Sequence, residues 1–576
     1  MFKQRIAALL ALSLSGASAE TWNSQLFPKR NGKFTVQTVN FGGRSWRLDD
    51  FSYVGYRLGE QPIGGDPCRK VILIKGTGDI SAELQTAIDQ AGRSPSGGIV
   101  AIPKGGYTMS SAVSIPWDNV SIVGAGSGET RITVPSNYDS REASNMAEAV
   151  FTFGRKLNAS NRGWTNHGAV LAKVTAPIAR GALFAMADDA TSVDVGSWVV
   201  VQQLFSQALV DANSQDPDKW PANSTVDHSI FSFSYLRRVL SKNGNRVFLD
   251  APIPQRLDPA DNPIVIRAVD AGAMHENSGI AGVSIAFENN IDARTGRPHG
   301  SAVYFEGMRD GWVYDVHVTN FPRYGLFADF STRITFLDCF VAGAQDKGGN
   351  GYGYGFLEEA SQNLLYRNCR GENTRHNFIS SRSLTSMIVY NRCISVNAAD
   401  PDDTHYAFEQ AILWDKHTQL NGNSLTAFNR GDESSGAYET LASGVIWNFT
   451  GDGIAGSQPH GGAIYVKPSP NGQALVIGVN GKHLVYDNSK GNTVSPFVPG
   501  DLMPASAGLQ VGAGVGALGN VLYEGLYLPG LDPESLYEAQ FENRTGHPPA
   551  SIRPVLGPPS ILLTGITTCS ATQFLQ

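Results

Sequence analysis

The sequence predicts an all-β protein, a right-handed single-stranded parallel β-helix with an N-terminal capping helix and a small β insertion. Helical periodicity is scarce, whereas short runs rich in Val, Ile, Phe and Tyr recur between Gly, Asn and Asp. Three runs, ITFLDC (334–339), LLYRNC (364–369) and IVYNRC (388–393), align position for position, with starts 30 and 24 residues apart. Strand repeats without helices exclude the helical solenoids, and their spacing favours a β-helix over a propeller.

The last position of these three runs is a cysteine. Equivalent positions of successive coils lie roughly 4.8 Å apart, so Cys339, Cys369 and Cys393 would stack inside the coil. Free cysteine is among the most buried residue types, and we expect core thiols rather than disulfide or metal partners. The chain has five cysteines in all, which are too few for a scaffold held by disulfides.

The first nineteen residues have the pattern of a secretory signal peptide (1–19). A basic start is followed by an apolar run and the small residues ASA. Without Lys3 and Arg5 the formal net charge of −7 becomes about −9, which does not favour a nucleic-acid partner. No later run approaches the ~20 apolar residues of a membrane helix. We expect a secreted, extracellular monomer that binds neither membrane nor nucleic acid.

The predicted β-helix spans residues 65–455 and follows an N-terminal extension at residues 20–64. Its first element is an amphipathic helix at residues 81–91, with Ser81 as N-cap. The apolar residues on one face of that helix are Leu84, Ala87, Ile88 and Ala91. Later strands are predicted at GVSIAF (282–287), AVYFEG (302–307) and YDVHVTNF (314–321).

Two segments depart from the regular coils. An antiparallel β insertion is predicted at about residues 158–268, and residues 456–576 are Gly- and Pro-rich and should form a cap packed on the helix. Within the cap, DPESLYEAQFENR (532–544) has helical character. Five Asn-x-Ser/Thr sequons predict glycosylation in a eukaryotic host. They are Asn119, Asn158, Asn223, Asn448 and Asn543.

A further repeat lies late in the predicted helix. ILWDKHTQ (412–419) and VIWNFTGD (445–452) each contain a Trp followed by Asp or Asn, at a spacing of 33 residues. This alignment predicts that Trp414 and Trp447 occupy equivalent positions.

Residues 79–132 resemble the beginning of the pectate-lyase-like, or pectin-lyase-fold, β-helix superfamily. The resemblance is carried by the helix above, the turn IPKGGY (102–107) and the strand and turn NVSIVGAGSGET (119–130). With the later repeats it extends over roughly residues 65–455. It implies the fold but not the substrate, because lyases, hydrolases, epimerases and phage tailspikes share this beginning.

Polar side chains that could perform chemistry concentrate in the later coils. In CRGENTRHNF (369–378), strict alternation places Arg375 and Asn377 in a groove and His376 inside the coil, if Phe378 is a core residue. A one-residue bulge would reverse that assignment.

Two following segments could converge with this one on stacked coils, namely HYAFEQAILWDKH (405–417) and FNRGDESSGAYET (428–440). The candidate catalytic residues are Arg375, His376, His405, Glu409 and Arg430. The candidate substrate-binding residues are Glu372, Asn377, Trp414, Asp415, Asn429 and Glu439.

These residues suit two enzyme classes. A lyase acting on uronic acids must neutralise the sugar carboxylate, for which Arg375 and Arg430 are suited, and remove the C5 proton with a base such as His376 or His405. Glu409 or Asp415 would orient that base. A glycoside hydrolase needs two carboxyl groups instead. The carboxyl groups available for that role are Glu372, Glu409, Asp415 and Glu439.

The "NTD...DD...GHG" pattern of the superfamily's hydrolases is absent, as are the "vWiDH" and "RxPxxR" motifs of its calcium-dependent lyases. We therefore expect an enzyme that degrades an extracellular polysaccharide, with β-elimination ahead of hydrolysis. A non-catalytic carbohydrate-binding or structural protein is the third hypothesis, with Trp414, Tyr352 and Tyr354 stacking on sugars. The turn DPDD (400–403) could hold Ca²⁺, although an exposed Asp-Pro turn is the simpler interpretation, and no cofactor is assigned.

Overall fold

The computed structural model describes most of the chain. The described residues are 21–64, 69–138, 149–154, 167–213, 220, 222, 231–269, 274–289, 291–292, 297–349, 351–421, 424–427, 429–431, 437–451, 464–466, 468–481, 484–487, 494–497, 512–518 and 520–549. The predicted signal peptide lies outside these residues, as do Cys68, Cys569, Asn158 and Asn223. None of the helices in the described part of the chain is both long and apolar enough to span a membrane.

Each coil contributes strands to three parallel sheets, here named A, B and C. Two long strands, Gly279–Phe287 and Trp312–Thr319, run through both A and B. The other strands of sheet A are Val71–Leu73, Gly98–Ala101, Val120–Val123, Thr335–Leu337, Gln362–Arg367, Ser386–Asn391, Gln410–Asp415, Ser443–Trp447, Gln473–Ile477 and Val521–Leu526. Those of sheet B are Gly78–Asp79, Gly105–Thr108, Thr130–Val134, Phe340–Ala342, Arg370–Glu372, Ile394–Val396, Thr418–Leu420, Thr450–Gly451 and Asn480–Gly481. Those of sheet C are Val113–Ile115, Ala149–Gly154, Ser301–Glu306, Tyr324–Asp329, Tyr354–Glu359, His376–Ser381, Asp402–Thr404, Leu425–Ala427 and Ile464–Val466.

This arrangement confirms the right-handed parallel β-helix predicted from the sequence. The cysteine-ended runs pair in the predicted register, with Thr335 beside Leu365 and Leu365 beside Val389. Their three cysteines are buried and free, as expected of core residues. Aromatic rings stack in the same interior, because equivalent side chains of successive coils lie one above another.

The alignment of Trp414 with Trp447 is wrong by one residue. Trp414 pairs with Ile446, and Trp447 pairs with Asp415. Side chains alternate along a strand, so this single step puts the two indoles on opposite faces of sheet A. Trp414 lies in the interior of the coil, whereas Trp447 packs among residues on the outer face.

The first helix, α1, runs over Ser81–Gly92 and packs on the first coil with its predicted apolar face. Ser81 is its first residue and not its N-cap, which is Ile80. The carboxylate of Asp79 performs the capping role, because its Oδ1 accepts from the Ser81 backbone N–H (3.0 Å) and from the Ser81 hydroxyl (2.7 Å).

The insertion is a six-stranded antiparallel sheet with its own apolar core. Its strands are His167–Lys173, Ala182–Met186, Trp198–Leu204, Ser232–Asn243, Arg246–Ile253 and Ile264–Val269. A short helix α2, Gln207–Ala212, follows the third of these strands. The sheet is joined to the coils through Gln362, whose side chain donates to Ser234 O (2.6 Å) and accepts from Leu236 N (3.1 Å).

The coils continue beyond the boundary predicted at residue 455, because Gln473–Ile477 and Val521–Leu526 extend sheet A. Helix α3, Leu536–Thr545, then packs with the N-terminal extension on the outer face of sheet A. The remaining short strands are Lys29–Arg30, Lys33–Phe34, Thr38–Phe41, Arg44–Arg47, His275–Glu276, Ile291–Asp292, Arg297–Pro298, Met308–Arg309, Leu484–Asp487, Val494–Phe497 and Gly512–Leu518, with one 3₁₀ turn at Tyr56–Gly59.

Candidate functional site

The outer face of sheet C brings polar side chains from successive coils into rows. Phe305, Ala328 and Glu358 point into the coil, so their neighbours Glu306, Asp329 and Glu359 point outward. These last three residues end consecutive strands and pair in register. We call them the carboxylate ladder.

A second group, the imidazole cluster, consists of His376, Asp403, His405 and Arg430. Arg430 Nη1 donates to Asp403 Oδ2 at 2.6 Å and to His405 Nδ1 at 2.9 Å. The rings of His376 and His405 lie 5.6 Å apart, centre to centre. Three sheet C coils therefore place these side chains together although they are up to 54 positions apart in sequence.

Strict alternation fails at the start of the strand His376–Ser381. Phe378 is a core residue, yet Asn377 is also directed inward, where it donates to Ser395 Oγ at 2.9 Å. His376 lies instead beside Tyr354 and His405 on the outer face. The prediction that Asn377 faces a groove is therefore wrong, because two adjacent residues at the bend both point into the coil.

In the imidazole cluster, burial and neighbouring charges shift the pKa values in opposite directions. Burial lowers the pKa of His376, which is 2 % exposed, so its ring is neutral near pH 7. Burial would raise the pKa of Asp403, but His405, His376 and Arg430 outweigh it and hold that pKa below the usual range. The cluster thus contains an ionised carboxylate paired with a guanidinium.

Arg375 lies at the edge of this cluster. Its Nε donates to Asp400 Oδ2 at 2.6 Å, and its guanidinium lies 5.7 Å from the centre of the Tyr354 ring. Both candidate arginines thus contact carboxylates of the protein itself.

The carboxylate ladder contains a carboxyl group with an unusual proton affinity. Burial, and then the neighbouring Glu359, raise the pKa of Asp329 well above its usual range. Tyr304 Oη donates to Asp329 Oδ2 at 3.2 Å, and Asp329 Oδ1 has no hydrogen-bond partner among the described residues. Arg382 Nε donates to Glu359 Oε2 at 3.0 Å as part of an ion pair. A carboxyl group that binds its proton unusually tightly therefore stands beside one that is paired with a guanidinium.

Tyr354 connects the two groups. Burial raises its pKa to about 12, and charges from both groups, Asp403 and Glu359, act on it. The ladder and the cluster therefore belong to one polar surface along sheet C.

Four of the predicted catalytic residues, Arg375, His376, His405 and Arg430, meet on this surface. Glu409 does not. It is fully buried inside the coil, where it accepts hydrogen bonds from Ser380 and from the backbone N–H of His405.

The predicted substrate-binding residues are dispersed. Trp414 is 2 % exposed in the core, and Asp415 is fully buried against the N-terminus of α3, so neither can contact a sugar. Glu372 lies on sheet B and pairs with Arg370 at 2.7 Å. Asn429 and Glu439 lie in the segment that carries Arg430 and bond to each other at 2.9 Å.

Sequence reasoning missed the carboxylate ladder, although a signal was present. Three consecutive sheet C strands, Ser301–Glu306, Tyr324–Asp329 and Tyr354–Glu359, each end in an acidic residue.

The prediction that DPDD (400–403) is an exposed turn is wrong, because Asp402 and Asp403 lie buried on a strand. Their side chains point to opposite faces, since Asp402 bonds His417 (3.2 Å) in the interior. They therefore cannot share one Ca²⁺.

Comparison with protein families gives a match to the family described as "Rhamnogalacturonase A/epimerase, pectate lyase-like" over residues 73–187. A comparison with curated proteins gives no match.

Among solved structures, the chain is similar to the tailspike gp61 of Pseudomonas phage phi297, with 14% identity and a TM-score of 0.41 over 72% of this chain and 64% of the tailspike. It is similar to the catalytic domain of a GH87 alpha-1,3-glucanase, with 13% identity and a TM-score of 0.39 over 73% of this chain and 54% of that one. It is also similar to the Gp54 tailspike of Acinetobacter baumannii bacteriophage AP22, with 12% identity and a TM-score of 0.31 over 71% and 67% of the two chains. The chain thus spans about 64% of the phi297 tailspike. The stacked coils make the protein a right-handed parallel β-helix, and its segment 73–187 is similar to a pectate-lyase-like family.

Proposed function

We propose that the protein is a secreted enzyme that degrades a polysaccharide, and that it hydrolyses glycosidic bonds with Asp329 and Glu359. The observation that carries this proposal is the carboxylate ladder, in which a carboxyl group with a raised pKa and a carboxyl group paired with an arginine stand on adjacent coils. Hydrolysis of a glycoside needs such a pair, one group to protonate the leaving oxygen and one to attack or to activate water.

The spacing of the two coils supports the pair. Residues in register on neighbouring parallel strands lie roughly 4.8 Å apart, close to the ~5–5.5 Å between carboxyl groups of retaining glycosidases. Asp329 acts as the acid because burial and the neighbouring Glu359 raise its pKa. Glu359, held by Arg382, acts as the nucleophile.

Three tyrosines lie beside the carboxyl groups on the outer face of sheet C, namely Tyr304, Tyr324 and Tyr354. They are only 7 %, 4 % and 6 % exposed, so they position the carboxyl groups, as Tyr304 does for Asp329, and offer a sugar little contact area. The family model that matches residues 73–187 is named for a rhamnogalacturonase, which makes a glycan the first substrate class to test.

A lyase is the second candidate, because Arg375, Arg430 and two histidines are brought together. A lyase subsite needs cationic groups that can turn to the substrate carboxylate. Here the two arginines contact Asp400 and Asp403. Because both arginines are already paired with carboxylates of the protein, the carboxylate ladder is the stronger candidate for the catalytic groups.

The test is a panel of neutral and acidic polysaccharides incubated with the wild type, Asp329→Asn and Glu359→Gln, with release of reducing ends as the readout. Each variant should lose at least about 10²-fold in kcat on the polysaccharide that the wild type cleaves. The matched control is Glu372→Gln, which removes a carboxylate that is also paired with an arginine but lies on sheet B. Full activity of Asp329→Asn would refute the proposal, and binding without cleavage by the wild type would favour a carbohydrate-binding protein.

A further inference from the structure

We infer that the imidazole cluster is a binding site for a divalent transition-metal ion of the Zn²⁺ class, with His376, Asp403 and His405 as ligands and Arg430 as the residue that the ion displaces. The proposal does not rest on the glycosidase reaction, because it concerns a different group of side chains from the carboxylate ladder.

The geometry of the donor atoms is the first support. One nitrogen of His376, one carboxylate oxygen of Asp403 and one nitrogen of His405 lie within 4.8 Å of one another. Ligands of one such ion stand closer than this, since each bond is about 2.0–2.2 Å long. Small rotations of the three side chains would close the difference.

Two buried ligand atoms without hydrogen-bond partners are the second support for a metal site. His376 and Asp403 have side chains only 2 % and 3 % exposed. His376 Nε2 and Asp403 Oδ1 nonetheless have no hydrogen-bond partner among the described residues. Buried polar atoms are nearly always paired, so these two point to a ligand that accepts their lone pairs.

The tautomer of His376 suits a metal ligand. Its Nδ1 lies 2.5 Å from the carbonyl oxygen of Pro401. A carbonyl only accepts, so the proton is on Nδ1, the nitrogen 3.9 Å from Asp403 Oδ1, and the lone pair is on Nε2, which lies 3.7 Å from Asp400 Oδ2. Binding through Nε2 therefore requires the His376 ring to turn toward Asp403. Histidines that bind metals usually donate their other nitrogen to such an oxygen, which fixes the ring orientation.

The guanidinium of Arg430 shows that a positive charge is favourable beside Asp403 and His405. Its Nη1 contacts both Asp403 Oδ2 and His405 Nδ1. His405 Nδ1 also lies 3.3 Å from Asp403 Oδ2. Its shorter contact is with the guanidinium, which only donates, and in that contact Nδ1 presents a lone pair toward the centre of the cluster. An ion bound there competes with the guanidinium for the same two atoms.

The ligand types select the ion. Two imidazoles and one carboxylate suit Zn²⁺, Co²⁺, Ni²⁺ or Fe²⁺, whereas Ca²⁺ and Mg²⁺ prefer all-oxygen sites. Three protein ligands would leave at least one coordination position open on the same face as the carboxylate ladder.

The test is calorimetric titration of the full chain with Zn²⁺, and separately with Ca²⁺, near pH 7. The wild type should bind one Zn²⁺ and bind Ca²⁺ more weakly, His405→Ala should bind Zn²⁺ at least about tenfold more weakly, and Arg430→Met should bind it more tightly because the competing charge is gone. His317→Ala, which removes an exposed histidine elsewhere, should bind as the wild type does.

Equal Zn²⁺ affinity of the wild type and a folded His405→Ala would overturn the inference, as would weaker binding by Arg430→Met or a preference for Ca²⁺. The Arg430→Met comparison decides the matter alone if His405→Ala does not fold.

Discussion

Glu358 is a buried carboxyl group inside the coil and does not belong to the outer surface. Tyr366 Oη donates to it at 2.8 Å, and Tyr390 Oη donates to its other oxygen. Burial raises its pKa from 4.5 to about 8 although both hydroxyls act in the opposite direction. The folded protein thus holds this proton more tightly than the unfolded chain does.

This raised pKa sets a direction for the pH dependence of stability. The contribution of Glu358 is complete below pH 4.5 and is lost as the pH rises toward about 8. The variant Glu358→Gln, which cannot ionise, should therefore show a smaller fall in Tm between pH 5 and pH 8 than the wild type. Thermal unfolding across that range measures the effect, and an equally steep fall in both proteins would contradict it.

A second prediction at the residue scale concerns the proton on Asp329. Loss of that proton should cause the alkaline decline of kcat/KM, since Asp329 is the proposed acid. The hydrogen bond from Tyr304 stabilises the ionised form, so Tyr304→Phe should move this decline upward by about one pH unit. A decline that stays in place or moves downward in the pH–rate profile of Tyr304→Phe would count against Asp329 as the acid.

At the scale of the elements, Asp415 fastens helix α3 to sheet A. Its carboxylate accepts from Ser535 Oγ (2.5 Å), Leu536 N (2.9 Å) and Tyr537 N (3.1 Å). These groups are the unpaired donors at the start of a helix, where a negative charge is also favourable.

Replacing this carboxylate should weaken the attachment of α3 without affecting catalysis. We expect Asp415→Asn to lower the free energy of unfolding by about 1–3 kcal/mol, because buried backbone donors lose an ionic acceptor. Asp338→Asn, at an exposed turn of the coils, is the control and should change stability little. Denaturant unfolding and steady-state kinetics test both variants. A raised KM in Asp415→Asn would indicate that Asp415 contacts the substrate.

The elements also show what sequence reasoning could reach. The cysteine-ended runs gave the coil register correctly, because their core positions recur identically. The Trp414 repeat failed by one residue, because Asn448 is equivalent to Lys416 and not to Asp415, and both Asn448 and Lys416 have a positive φ. The prediction that His376 points into the coil is wrong, because the bend that turns both Asn377 and Phe378 inward has no marker such as glycine or proline.

At the scale of the molecule, the covering of the coils determines where a substrate can bind. The N-terminal extension and α3 cover the outer face of sheet A, and the insertion packs at turns between sheets C and A. The outer face of sheet C carries Asp329 and Asp403, whose pKa values are shifted in opposite directions. The sequence predicted the candidate arginines and histidines of this surface but not Asp329 and Glu359. These two residues lie on different coils, far apart in sequence, and only the stacking of the coils brings them together.

The central claim is that cleavage occurs by hydrolysis at these stacked carboxyl groups. The most direct measurement follows reducing ends and the ultraviolet absorbance of unsaturated uronates together, in one reaction of the wild type on the polysaccharide that it cleaves. Hydrolysis at Asp329 and Glu359 produces new reducing ends without any rise in that absorbance. A parallel rise of both signals would contradict it and assign β-elimination to the imidazole cluster.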